Sequence, residues 1–374
     1  MAGVYLHIPF CRKACHYCNF HFSTNLKTQN DFIKALLKEI QLRKDYLANA
    51  MVSTIYFGGG TPSLLETDEL HEIIQEVKRH FNTGNVTEIT LEANPDDISD
   101  SKLSSWKSAG INRLSIGVQS FIEEDLKWMN RAHTAQQALD SIQRSRKFGF
   151  DNLTIDLIYG SPRLTDEAWK KNVEMAIALE IPHISCYALT VEPATTLHQL
   201  IAKKIVAPVI VDDQARQFML LMEWMADAGF EQYEISNFSK PGFRSRHNSS
   251  YWDGSGYIGF GPSAHSFNGK ERQWNVSNNA LYIQAIEKGT IPSDMETLTS
   301  AQQLNEYIMT SLRRKEGLSL GYVHEHFNGE SEKIRKRSER YITEGKVSVE
   351  FDHLVLTREG KLFADGIAAD LFCD

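Results

Sequence analysis

The sequence predicts an α/β fold: a closed or partial (β/α) barrel followed by a small α+β domain. Three observations predict it. Apolar, strand-like runs alternate six times with helical segments between Val4 and Leu189. Polar residues recur at the carboxyl ends of these runs, where such barrels hold their sites. From about Thr297 the alternation gives way to charged helices and two short strands. No Gly-x-Gly-x-x-Gly fingerprint is present, which favours a barrel over a doubly wound dinucleotide fold.

Taken in order, Val4–Ile8 reads as the first strand and runs into Cys11. Asp31–Lys44 carries Phe32, Leu36, Leu37 and Ile40 at helical spacing. A second strand, Ser53–Phe57, leads into Gly58-Gly59-Gly60-Thr61-Pro62, and Asp68–His80 is helical. Thr87–Leu91 is the third strand, ending at Glu92. Ser99–Ala109 is a helix that Gly110 is placed to terminate. Asn112–Val118, Leu153–Ile158 and Ile184–Leu189 complete the strands, with Ala135–Lys147 and Glu167–Leu179 between them. Asp212–Gly229 is an amphipathic helix, after which the alternation stops. Residues 230–290 read as a long irregular stretch, aromatic enough to be ordered. Helices over Ala301–Lys315 and Ser331–Glu344, strands at Val347–Phe351 and Leu354–Leu356, and a last helix form the C-terminal domain.

Composition narrows the function classes. A chain of 374 residues, 42% hydrophobic and 24% charged, has the profile of a soluble globular protein. A net charge of −8 argues against generic nucleic-acid binding, so the run Lys333–Arg337 is read as a solvated helix face. No apolar run is long enough to span a bilayer, and no signal-peptide pattern opens the chain. Five cysteines, three of them clustered, do not make a disulfide framework, and a reducing cytoplasm is expected.

That cluster is the organising feature. Cys11, Cys15 and Cys18 are spaced four and then three apart in one loop, and Cys186 and Cys373 stand alone. Three thiolates can hold three irons of a cubane and leave the fourth open, whereas electron-carrying clusters close the shell with four cysteines. From spacing alone, a structural zinc knuckle completed by His16 or His21 remains the alternative. The position directly after the first strand of an α/β domain favours the cluster. Three glycines after the second strand allow positive φ and close backbone approach to a ligand. Glu92, Gln119 and Asp156 fall near the ends of strands three to five, and their repetition around one rim marks a site.

These residues carry a resemblance. Cys-x3-Cys-x2-Cys after the first strand with Gly-Gly-Gly-Thr-Pro after the second resembles the radical S-adenosylmethionine superfamily. Tyr5–Cys11, Tyr56–Ser63, Gly117–Phe121 and Asp156–Gly160 resemble the oxygen-independent coproporphyrinogen III oxidase family. The resemblance implies a partial (β/α)6, TIM-like radical SAM barrel over 1–230 and an aromatic, Gly-rich linker over 231–296. Over 297–374 it implies a winged-helix-like domain of the kind that ends that family's chains. It implies a [4Fe–4S] cluster on Cys11, Cys15 and Cys18. S-adenosylmethionine would chelate the open iron in a pocket lined by Tyr5, Tyr17, Gly59, Gly60, Thr61, Glu92, Gln119, Arg131 and Asp156. The chemistry implied is one-electron cleavage of the sulfonium to a 5′-deoxyadenosyl radical.

Two departures set the chain apart from the oxidases. Phe20 stands where they carry a further cysteine, and only ten residues precede Cys11 where they carry an N-terminal extension. Radical machinery is thus expected while coproporphyrinogen III oxidation is not. On chemistry alone, His247 and its aromatic neighbours read as a hydrogen-bonded satellite core. His247-Asn248-x-x-Tyr251-Trp252, however, matches the haem-binding signature of HemW-type haem chaperones, making His247 the expected iron ligand and His265 a weaker candidate. That resemblance implies haem and a haem-acceptor protein as partners, respiratory or otherwise. It also admits a homodimer and peripheral contact with a membrane-bound acceptor.

Overall fold

The computed structural model describes residues 1–373. Its first unit is β1 (Ala2–Ile8), α1 (Gln29–Leu42), β2 (Val52–Gly59), α2 (Thr67–His80), β3 (Glu88–Ala93), α3 (Asp100–Ala109) and β4 (Arg113–Gln119). It continues through α4 (Glu123–Trp128), α5 (Ala135–Lys147), β5 (Leu153–Tyr159), α6 (Asp166–Ala178) and β6 (His183–Ala188). The six strands lie side by side in chain order and all pair in parallel. The strands are largely buried on both faces yet alternate: in β4, Arg113, Ser115 and Gln119 interleave with the fully buried Leu114, Ile116 and Val118.

Local chemistry sets the helix ends. Ser99 caps α3 by accepting from the Lys102 N–H, and Gly110 closes it in the left-handed region at φ 95°. Thr134 and Gln137 form a reciprocal capping box at the start of α5. Packing does the rest. Trp106 of α3 and Trp169 of α6 are fully buried, each worth roughly 2–3 kcal/mol of apolar transfer.

The chain then forms α7 (Thr196–Ala202), α8 (Val211–Asp227), β7 (Glu231–Gln232), β8 (Asn237–Ser239) and α9 (Arg246–Trp252). β9 (Gly256–Phe260), β10 (His265–Phe267), β11 (Glu271–Asn275), α10 (Asn279–Glu287) and β12 (Ser293–Thr297) follow. Here the structure corrects the sequence reading, because residues 231–296 are no irregular linker. β8 pairs antiparallel to β6 and β7 antiparallel to β8, while β9 pairs in parallel with β1 and carries β10, β11 and β12 beyond it. The strands escaped notice because Gly259 and Ser266 interrupt the apolar pattern. Gly259 is required where it stands: a Cβ there would lie 2.2 Å from the His265 carbonyl oxygen.

A buried polar network locks this extension to the barrel. Arg43 donates to Glu39 (3.0 Å), the Gly259 carbonyl (2.7 Å) and Ser266 (3.0 Å). Glu39 also accepts from Tyr282 (2.6 Å), Asn275 (2.8 Å) and the Gly261 N–H (2.8 Å).

The last unit is α11 (Ser300–Leu312), β13 (Leu318–Ser319), α12 (Leu320–His326), α13 (Glu330–Thr343), β14 (Val347–Glu350), β15 (His353–Leu356) and α14 (Ala364–Leu371). Helix, strand, two helices and a two-stranded wing, with sheet order β13-β15-β14, give the winged-helix arrangement around a separate apolar core. Lys333, Arg335 and Lys336 of α13 are exposed, as a solvated face requires.

Candidate functional site

The three cysteines lie in the loop after β1, at the carboxyl end of the barrel. The loop is sewn down on two sides. Cys11 N–H donates to the Ser23 carbonyl (3.0 Å), and His16 N–H to the Met129 carbonyl (3.1 Å). Asn130 Nδ2 donates to the Ala14 carbonyl (2.7 Å) and Lys13 Nζ to the Arg131 carbonyl (3.1 Å). His16 Nδ1 pairs with the Trp128 carbonyl and His21 Nε2 with Asn279. Burial pushes the Cys11 thiol up to about 11 and raises Cys18 as well, each aggravated by the neighbouring thiols. Bound cationic iron would offset that cost.

A hydrogen-bonded arc joins two of the thiols. Arg131 Nη1 donates to Cys15 Sγ (3.2 Å) and its Nη2 to Asn94 Oδ1 (2.7 Å) and the Gly117 carbonyl (2.9 Å). Asn94 Nδ2 donates to Thr61 Oγ1 (3.2 Å), which donates to Cys11 Sγ (3.4 Å). Asn94 went unmarked in the sequence, where nothing local distinguishes it from an ordinary residue before proline. The Arg131 Nε is buried with no partner.

Inside the mouth, Glu92 accepts from Tyr56 Oη (2.7 Å) and the Gly59 N–H (3.2 Å). Burial raises its carboxyl to about 7 and that of Asp156 to about 6, with Asp156 adding repulsion to Glu92. Two half-buried, desolvated carboxyls at neighbouring strand ends favour a cation. Tyr5 Oη lies 3.2 Å from His7 Nδ1, and Tyr17 packs on Met129, Ile158 and Leu197 below the thiols. Gln119 sits at a register shift at the end of β4 with φ 67°, a strained position that re-aims its side chain. The glycines are steric necessities. A Cβ at Gly59, already at φ 108°, would meet the His7 ring at 2.7 Å, and one at Gly60 would meet the Phe10 carbonyl at 2.6 Å.

The residues expected to bind haem lie elsewhere. His247, 1% exposed, sits on α9 at the amino ends of the strands and plugs the barrel floor. Its Nδ1 pairs with Thr54 Oγ1 (2.8 Å), its Nε2 with Tyr251 Oη (2.9 Å), and its backbone N–H donates to Glu88 (2.9 Å). Its ring stacks on Tyr56 at 4.9 Å, and burial lowers its pKa to about 3. Both ring nitrogens are occupied while α9 is seated. Asn248 N–H donates to the capping Ser245, and Trp252 lies under the Arg313 guanidinium of the C-terminal domain at 5.2 Å.

Comparison with known proteins supplies the family. Residues 5–176 match the Radical SAM superfamily and residues 298–363 the HemN C-terminal domain. The chain is 33% identical over 374 residues to "Heme chaperone HemW" of Mycobacterium tuberculosis, covering 99% of this chain and 94% of that one. The chain belongs to the HemW family of radical SAM proteins. The Bacillus subtilis protein of that name is 35% identical across 85% of each chain, and the Escherichia coli one 30% across 98% and 96%. In fold, the chain is similar to the E. coli coproporphyrinogen III oxidase HemN, with a TM-score of 0.85 and 22% identity over 99% of this chain and 90% of that one.

Membership of the superfamily implies a [4Fe–4S] cluster and S-adenosylmethionine, and the site fits both. Three thiols offer three ligands and no fourth, while Glu92, Asp156 and the spare Arg131 donor suit a ligand with cationic and anionic ends. When bound, the pair supplies one-electron chemistry; the chain supplies ligands, charge balance and exclusion of water. No helix among the described residues is long and apolar enough to cross a membrane.

Proposed function

We propose that the protein is a haem chaperone of the cytoplasm, which binds haem and passes it to an acceptor protein. The observation that carries this reading is identity to proteins named haem chaperones along nearly the whole chain, barrel and C-terminal domain alike. The exposed Phe20 beside Cys18 agrees with it, since coproporphyrinogen III oxidases resemble one another in carrying cysteine there. In this reading Cys11, Cys15 and Cys18 hold the cluster. Tyr5, Tyr17, Gly59, Gly60, Thr61, Glu92, Gln119, Arg131 and Asp156 line the S-adenosylmethionine pocket. His247, Asn248, Tyr251 and Trp252 form the haem-responsive element, and ligation by His247 requires it to give up Thr54 or Tyr251.

The division of labour follows the three segments proposed from sequence: cluster and cofactor in 1–230, the haem motif in 231–296, and a HemN-like C-terminal domain in 297–374, whose last position lies outside the described residues. Haem transfer tests the function. The chain is loaded with haem and mixed with an apo-cytochrome, and the acceptor spectrum is followed with and without an intact cluster. The acceptor is expected to acquire haem from the chaperone. Turnover of coproporphyrinogen III with reductant and S-adenosylmethionine, without transfer, would instead establish the oxidase alternative.

A further inference from the structure

The haem-binding reading leaves a geometrical problem, because the expected ligand His247 is buried and doubly hydrogen-bonded. The inner face of the sheet extension offers another. His265 opens β10 and is exposed, and among the described residues its ring nitrogens have no hydrogen-bond partner. Its neighbours across β11 are aromatic and cationic: it pairs with Trp274 and their rings stack at 6.4 Å, while Phe267 pairs with Arg272.

Position strengthens the case. β9 runs parallel to β1, with Leu6 opposite Phe260, so the chain leaves β9 at the cluster end of the barrel. Gly261, at φ 96°, presses against the His7 carbonyl, where a Cβ would lie 2.5 Å away, and the turn through Ser263 at φ 65° returns to His265. His7 in turn stacks on His21, three residues past Cys18. His265 therefore stands at the rim that carries the thiol loop.

A strip of rings joins this rim to the barrel floor. From His247 it passes to Tyr251 (5.1 Å), Tyr257 (4.7 Å) and Phe267 (6.3 Å), each half-buried. Phe267 and His265 share a face, being two apart on one strand. A flat apolar macrocycle needs such a surface, and its iron needs one free imidazole beside it.

We propose that His265 is an axial haem ligand, with the macrocycle lying on the Tyr257–Phe267–Trp274 strip while α9 still holds His247 in the floor. The proposal rests on the haem-chaperone reading. Its consequence is an order of events: haem is taken up at the cluster-side rim, and His247 engages only after α9 unseats.

Haemin titration into the reconstituted full-length chain tests it, read by the Soret difference spectrum and by ferric haem EPR. The wild type should show a histidine-ligated spectrum. His265→Ala should lose that spectrum and weaken binding by roughly tenfold or more, and added imidazole should restore the ligation. Trp274→Leu should weaken binding while keeping the histidine signature, and His71→Ala, exposed on α2, should behave as wild type. If His265→Ala keeps the wild-type spectrum and affinity while His247→Ala loses both, the inference falls and the chaperone reading stands. If the wild type itself binds no haemin, both fall together.

Discussion

The mouth and the floor of the barrel are built from the same strands and answer opposite demands. At the mouth, charge is left unbalanced: Arg131 keeps a buried donor unpaired, and desolvation raises the pKa values of the half-buried Glu92 and Asp156. At the floor, His247 has partners at both ring nitrogens and at its backbone N–H. An under-satisfied buried group signals a ligand, because burying it alone costs free energy. A satisfied one signals a latch. Tyr56 touches both regions, donating to Glu92 above and stacking on His247 below, so filling the mouth has a direct route to the floor.

The sharpest way to break this contrast is at the thiols. Cys15→Ala should abolish iron and sulfide retention after reconstitution, and metal analysis reads the loss; retention of both in full would contradict the site. Next comes the strut that holds the sheet extension. Glu39→Ala strands the buried Arg43 and should cost about 3–5 kcal/mol, measured by denaturant unfolding.

Glu92 gives a pH test. Its folded pKa of about 7 lies above its ordinary value, so the folded state holds the proton longer. Apo-protein stability therefore falls as pH rises between the two values, and the penalty is complete above about 7. Glu92→Gln should melt higher than wild type at neutral pH and lose that advantage in acid, while binding S-adenosylmethionine more weakly. The floor has the reverse sign. His247 is held neutral with a pKa near 3, so its contribution is complete above the ordinary 6.5 and is lost as pH falls. The hydrogen-exchange protection factors of α9, corrected for the intrinsic pH dependence of exchange, should fall on acidification, and His247→Phe should flatten that response. The smallest effect is expected at Trp252→Ala, which removes one cation–π contact with Arg313 worth roughly 0.5–1 kcal/mol.

Much of the mouth was legible in the sequence because its signals are local. The thiol spacing, the glycine run and the polar residues near three strand ends each lie within a few positions of a strand. The floor was not legible. His247 is fixed by Thr54 and Glu88, which lie 193 and 159 residues away, and only the assembled sheet brings them together. Asn94 is hidden for the same reason, since its role comes from Arg131 and Thr61. The strand β9 was masked by Gly259, whose smallness serves β10 rather than its own strand.

The central claim is a cluster at the mouth with one iron left for an exogenous ligand. Mössbauer spectra of anaerobically reconstituted protein, recorded with and without S-adenosylmethionine, test it most directly. The account predicts a [4Fe–4S] signal in which one iron subsite alone shifts when the ligand is added. A cluster whose spectrum ignores the ligand, or a chain that takes up zinc in place of iron and sulfide, would contradict it.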